Sequence, residues 1–351
     1  MGMKYRDVKG GIMINDGIDL SSSSLSIDAV VLDCDGTLVR INRSYNACII
    51  ETAGRILSSL LGDEWKDFVD EQMILAFRMS GGFNNDVDTT YACILAALAY
   101  SKNMSSTRAD NKDKVYGARM FAYGMARHAD SRGIASVEEY LAGIGKADAV
   151  KTARVHTGYP GLVGSSILAT LFDELFYGKE LFMKMHGIEP RFNYGKGFIE
   201  YDEVVVSNEC LNTLHGMFNG NVAIVSGRSR IAAEYALRDL LNYFNVNASV
   251  FIEDEDKYVK RNGLKMDVVK PNPYALFKSL KAMNVKSALV VGDSAEDLIM
   301  ARSASKDGYR TYFVGVYGTS IDAEKQRQMF ISMGSDAIVE NVNLLPRLLE
   351  A

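Results

Sequence analysis

The sequence predicts an α/β protein, a doubly wound parallel sheet with an inserted, mainly α-helical domain. Three observations predict it. Short β-branched runs alternate with helical stretches after about Glu200, and one such run stands near the start. Helical periodicity dominates the long stretch between them. Polar clusters follow directly on several of the runs, where parallel sheets carry their sites.

Residues 1–26 are polar and glycine-rich, with serines at 21–24, and predict an irregular arm with room for one short strand. Ile27 to Leu32, IDAVVL, suits a buried parallel strand. From about Ile41 to Gly195 the texture is helical, as in YNACIIETAGRILSSLLG and VDTTYACILAALAYSKN. The polar segment Ser101 to Arg119 is a loop or an exposed helix. Alternation then resumes: a helix over Asn208–Met217, a strand over Asn221–Ser226, a helix over Ile231–Tyr243 and a strand over Ala248–Ile252. A helix over Pro273–Met283, the strand Ser287–Val291, a further helix, the strand TYFVGV, DAIV and a last helix follow. The expected division is an arm at 1–26, a sheet domain at 27–40 with 206–351, and a helical domain at 41–205.

Composition narrows the function. A length of 351 residues fits about two domains, and 48% hydrophobic residues suffice for a core. A formal net charge of −5 argues against a nucleic-acid partner, which calls for a basic face. Cys34, Cys48, Cys93 and Cys210 are scattered without a CxxC pair, so neither a disulfide framework nor structural zinc is expected. The start lacks an apolar leader, and Tyr91 to Tyr100 is too short to span a bilayer. No membrane partner is expected, and a reducing cytoplasm is the expected location.

Four motifs fall at strand ends. Asp33-Cys34-Asp35-Gly36-Thr37-Leu38 follows AVVL. On extended chain, residues two apart share a side, so Asp33 and Asp35 face one site while Cys34 faces away. Such a pair can divide nucleophilic attack from proton transfer. Ser226-Gly227-Arg228 follows NVAIV; its hydroxyl either binds a phosphate oxygen or caps a helix. Lys270 in VVKPNP can neutralise phosphate and neighbouring carboxylates, or be a surface lysine. Gly292-Asp293-Ser294-Ala295-Glu296-Asp297 follows ALVV. Its carboxylates suit a hard divalent cation, or cap the next helix.

In this order, DCDGTL, a strand-end Ser, KPNP and GDSAED resemble the four motifs of the haloacid dehalogenase superfamily. The insert after the first motif resembles a helical C1-type cap on a Rossmann-like core. The resemblance implies a Mg²⁺-dependent phosphatase acting on a small phosphorylated metabolite through an aspartyl-phosphate. Asp33 would be the nucleophile and Asp35 the general acid/base. Thr37, Ser226, Gly227 and Lys270 would bind the phosphoryl group. Asp33, the Asp35 carbonyl, Asp293 and Asp297 would hold the metal. Asp35 also favours phosphate chemistry over carbon–halogen cleavage, because dehalogenases of the superfamily lack that aspartate. A phosphomutase, or a non-catalytic phosphometabolite-binding protein on the same core, is the alternative.

Gly81-Gly82-Phe83-Asn84-Asn85-Asp86 resembles the GGFNND-type cap loop of one group of these hydrolases. Either Asn84, Asn85 and Asp86 contact the leaving group, or the segment is a helix start capped by Asp86 or Asp88. Arg43 reaches either the substrate or a hinge. His128, His156, His186 and His215 show no ligand spacing and are read as structural. Neither GxGxxG nor a P-loop is present.

Overall fold

Ala29–Leu32 is buried along its whole length, as AVVL requires of a strand covered on both faces. The computed structural model describes residues 4–8, 10–18, 26–80, 82–83, 85–101, 111–130, 132–254 and 268–350. The strands are β1 (Tyr5–Val8), β2 (Ile12–Asn15), β3 (Ala29–Leu32), β4 (Val39–Arg40), β5 (Glu203–Val204), β6 (Val222–Ile224), β7 (Ser287–Gly292), β8 (Arg310–Val316) and β9 (Ala337–Val339). Seven form one sheet in the order β1-β2-β9-β8-β7-β3-β6, and β6, β3, β7, β8 and β9 run parallel.

Side chains of period two feed two cores. Val30, Leu32, Val222, Ile224, Leu289 and Val291 pack with Leu211, Leu214, Leu237 and Leu348 from helices on one face. Ala29, Val31, Ala223, Val225, Ala288 and Val290 pack with Leu276, Leu280, Leu298, Ala301 and Phe330 on the other. The doubly wound α/β fold is therefore the observed one.

Two compact units are formed, Met1–Asn42 with Asp202–Ala351, and Arg43–Tyr201. In the second, the helix Asp86–Ser101 is buried throughout from Thr89 to Ala99. Glu174, fully buried, accepts the backbone N–H groups of Arg191 (2.7 Å), Phe192 (2.5 Å) and Asn193 (2.9 Å), and so fixes that loop. No helix of the described residues is long and apolar enough to cross a membrane.

Three local expectations need correction. The arm holds two strands: β1 and β2 form a hairpin whose second strand pairs antiparallel with β9. The buried Ile12 and Ile14 alternate with less buried neighbours and drive that pairing. Part of the arm, 1–3, 9 and 19–25, lies outside the described residues. Ala248–Ile252 joins the sheet only through the single bridge Val225–Val250. Ser249 Oγ takes the Ile224 N–H (3.1 Å), and Asp254 takes the Phe251 N–H (3.2 Å), turning the chain away. The helix expected over 231–243 is Arg230–Leu237; Arg238, at φ 47°, breaks it into a 3₁₀ segment.

Candidate active site

The parallel register sets Leu32 opposite both Ile224 and Val291, so the first, second and fourth motifs leave adjacent strands at one end of the sheet. Asp33 follows β3 and its N–H donates to Val291 O (2.8 Å). The chain then folds into a tight turn: Cys34 O accepts from Leu38 N (2.8 Å) and Val39 N (3.0 Å), and Gly36 N donates to Val39 O (2.8 Å). Gly36 takes φ 75°, and a β-carbon there would overlap the Asp293 carboxylate. Gly292 is constrained in the same way by the Asp297 carboxylate. Both glycines therefore make room for acidic side chains.

Carboxylate oxygens of Asp33, Asp293 and Asp297 lie within 4.8 Å of one another. Lys270 Nζ donates to Asp33 Oδ1 (2.6 Å) and Asp297 Oδ1 (2.7 Å), and its side chain is 11% exposed. Asp297 Oδ2 accepts from the backbone N–H (3.2 Å) and hydroxyl (2.6 Å) of Ser294, closing a capping box on the helix Ala295–Lys306. Both Asp297 oxygens are thus engaged. The Asp293 carboxylate accepts no hydrogen bond among the described residues, although Gln326 donates to its backbone carbonyl.

Burial pushes the Asp33 carboxyl up to about 7; Lys270 opposes the rise, while Asp297 and Asp35 add to it. Burial, then Asp33 and Asp297, also raise Asp293 well above the carboxylate range. Burial works against the Lys270 charge, but Asp297 and Asp33 outweigh it and hold the ammonium charged. With all three carboxylates ionised, the cluster and Lys270 would carry a formal charge of −2, which a divalent cation would offset.

A family model described as haloacid dehalogenase-like hydrolase matches residues 27–305. The chain belongs to the haloacid dehalogenase-like hydrolases. It also resembles the phosphatase Tt82 from Thermococcus thioreducens, at 18% identity and TM-score 0.56, over 91% of this chain and 97% of that one. A solved structural-genomics target is similar at 15% identity and TM-score 0.61, over 92% of this chain and 98% of that one. A search of curated proteins finds no match.

In this haloacid dehalogenase-like hydrolase the other expected residues are placed as follows. Cys34 is buried in the apolar core, and burial, with Asp35 and Asp33 adding to it, raises its thiol well above the ordinary range. Thr37 is fully buried, and its hydroxyl lacks a hydrogen-bond partner among the described residues. Ser226 is buried and its hydroxyl accepts the Arg228 N–H (3.2 Å). A β-carbon at Gly227 would meet nothing within 4 Å, so packing does not demand glycine there.

In the GGFNND segment, Phe83 is buried against Phe77 (centroids 5.2 Å apart), Gly82 lies against the backbone of Asp130 and Gly133, and Gly81 lies outside the described residues. Asn85, rather than Asp86 or Asp88, caps the next helix, accepting from Val87 N (2.9 Å) and Asp88 N (3.2 Å). Asp86 pairs with Arg78 (2.6 Å), and Asn84 lies outside the described residues. Arg43 sits 4.9 Å over the ring of Tyr201.

Sequence reasoning passed over Arg228, Asp202 and Thr319. Arg228 Nη1 donates to Asp35 Oδ1 (2.6 Å), and Nη2 donates to Asp202 Oδ2. Thr319 donates to the Gly36 carbonyl, and Asn42 Nδ2 donates to Thr319 O (2.5 Å). An arginine directly after the Ser-Gly turn was the available signal; Asp202 and Thr319 carry no local one.

Proposed function

We propose that this hydrolase is a phosphatase that cleaves a small phosphorylated metabolite through an aspartyl-phosphate on Asp33, with magnesium as its cofactor. One observation carries the reading. Asp33 is buried, gripped by Lys270 through one oxygen, beside Asp293 and two residues before Asp35. The name of the Thermococcus thioreducens neighbour, a phosphatase, is in keeping with it.

The donor set fits magnesium: hard carboxylate oxygens, crowded, with a formal charge of −2 when all three are ionised. Asp33 and Asp293 would hold the ion together with the Asp35 backbone carbonyl. Asp297, whose oxygens are taken by Lys270 and Ser294, would support it by orienting Lys270. When bound, the ion would offset the charge on the phosphoryl oxygens.

The chain's own groups perform the transfer. Lys270 fixes Asp33 through Oδ1. Oδ2 attacks phosphorus, the bond to the ester oxygen breaks, and Asp35 gives its proton to that oxygen. Asp35 then takes a proton from water. The water oxygen attacks phosphorus, the bond to Asp33 breaks, and phosphate leaves with both aspartates restored. Ser226 and the unpartnered Thr37 hydroxyl are the candidate donors to phosphoryl oxygens, and the space beside Gly227 admits one. The unit Arg43–Tyr201, inserted after the first motif, would select the leaving group as a cap, with Arg43 and residues Asn84, Asn85 and Asp86 as its candidate contacts.

The test is phosphate release from p-nitrophenyl phosphate and a panel of phosphorylated metabolites, with and without Mg²⁺, by wild type and Asp33→Asn. Magnesium-dependent release that vanishes in the variant is expected. Release that survives Asp33→Asn would sink the reading.

A further inference from the structure

The reaction above leaves one buried charge unused. The Arg228 side chain is 0% exposed, and its guanidinium spans two carboxylates, Asp35 (22% exposed) and Asp202 (3% exposed). Burying an arginine is costly unless it is paired, and here two carboxylates share that task. The second contact, to Asp35 at 2.6 Å, goes to the proton-transfer group.

The surroundings make this contact rigid. Arg228 is held at its backbone, where its N–H donates to Ser226 Oγ (3.2 Å) and its carbonyl accepts from Ile252 N (3.4 Å). The next residue, Ser229, caps the helix Arg230–Leu237. Asp202 opens the return of the chain into the sheet unit and precedes β5, which pairs with β4 directly after the Asp33–Leu38 turn. Arg40 and Glu203 close that ribbon with an ion pair of 2.7 Å. The turn, β4, β5, Asp202, Arg228 and Asp35 therefore form a closed ring of contacts. A guanidinium is planar, so fixing one fork on Asp202 also fixes where the other points.

We propose that Arg228, locked by Asp202, is a positioning residue that orients the Asp35 carboxyl for proton transfer to the ester oxygen. With a side chain that is 0% exposed, it would act through Asp35 rather than on the substrate. The proposal rests on the phosphatase reading and extends it to the group that controls the acid.

A positioning role has a signature that a structural role lacks. General-acid help matters for a poor leaving group and little for a good one. The value of kcat/KM covers the steps up to the aspartyl-phosphate. The test measures it for phenyl phosphate and p-nitrophenyl phosphate, with wild type, Asp33→Asn, Arg228→Lys and the double variant Arg228→Met/Asp202→Asn. The double variant removes both partners and leaves neither of their charges unpaired. Arg228→Lys keeps a charge against Asp202 without a fork to span both carboxylates.

Both Arg228 variants should lose about 10²-fold on phenyl phosphate and less than about tenfold on p-nitrophenyl phosphate. Equal losses on the two esters, or no loss, would overturn the proposal. So would loss of the fold in both variants, which would assign the pair to stability. Wild-type release that does not depend on Asp33 would instead remove the phosphatase reading, so the two failures are distinguishable.

Discussion

Replacing Asp33 by Asn should stabilise the metal-free protein while ending its turnover. Asp33 is buried beside Asp293 and Asp297, and one ammonium serves all three. Burial with those neighbours raises its carboxyl from 3.8 to about 7, a value already net of the attraction of Lys270. The gap is about three pH units at roughly 1.4 kcal/mol each, giving a ceiling of ~4 kcal/mol for keeping Asp33 ionised. Asp293 carries part of the same repulsion. Half the ceiling, about 2 kcal/mol, is the working figure, or roughly 3 °C in unfolding midpoint for a chain of 351 residues. Linkage sets the sign. A carboxyl whose folded pKa is raised costs nothing below its unfolded value, and wild-type stability falls as pH climbs from 3.8 through about 7.

The advantage of Asp33→Asn should therefore be largest near about pH 8 and vanish near about pH 4. Thermal unfolding in EDTA at several pH values measures it. Added Mg²⁺ should reverse the order, because wild type gains RT ln(1 + [L]/Kd) and the variant gains less. A variant less stable than wild type in EDTA at the higher pH would refute the argument that crowding, rather than the Lys270 pair, dominates this cluster.

Other perturbations separate the roles of neighbouring groups. Lys270→Ala should lower kcat by about 10²–10³-fold, since the grip on Asp33 and a charge near the phosphoryl group go together; an unchanged rate would remove Lys270 from the site. Asp293→Asn should weaken Mg²⁺ binding, read by titration calorimetry, more than Asp297→Asn, for which about 10–100-fold is expected from a supporting role. The reverse order would overturn the reading of Asp297 as support. Glu174→Ala should cost about 3–5 kcal/mol in urea unfolding, because three backbone N–H groups lose their acceptor; a loss under about 1 kcal/mol would mean that water replaces the carboxylate.

Much of the sheet and of the site was legible because the deciding signals are local. AVVL and ALVV read as buried strands and are so, and the aspartates that follow them leave adjacent strands. Lys270 was marked by its place in KPNP, third of the four ordered motifs. What escaped was tertiary. Asp35 and Arg228 are 193 residues apart, and Asp202 and Arg228 are 26 apart, so no stretch as short as a motif contains either pair. The hairpin of the arm escaped for a different reason: only four residues, IMIN, carry the alternation, and the partner that buries them is β9, more than three hundred residues later. At GGFNND, three polar side chains in a row offered several caps, and local backbone geometry chose Asn85.

Asp293 and Asp297 show where residue type stops being informative. Both are aspartates in one motif, and the capping reading and the metal reading applied to the pair alike. The structure gives the two carboxylates different hydrogen-bond partners. Asp297 spends one oxygen on Ser294 and the other on Lys270, while the Asp293 carboxylate has neither partner. A cation competes for lone pairs, so it meets a lower barrier at Asp293 than at Asp297, where it would have to displace a cap and an ion pair. The same accounting applies to Asp33, whose Oδ1 belongs to Lys270 and whose Oδ2 does not. Oxygen by oxygen, the cluster divides into atoms that Lys270 and Ser294 hold and atoms that they leave for the proposed chemistry. That division follows from three-dimensional neighbours that the motif letters do not encode.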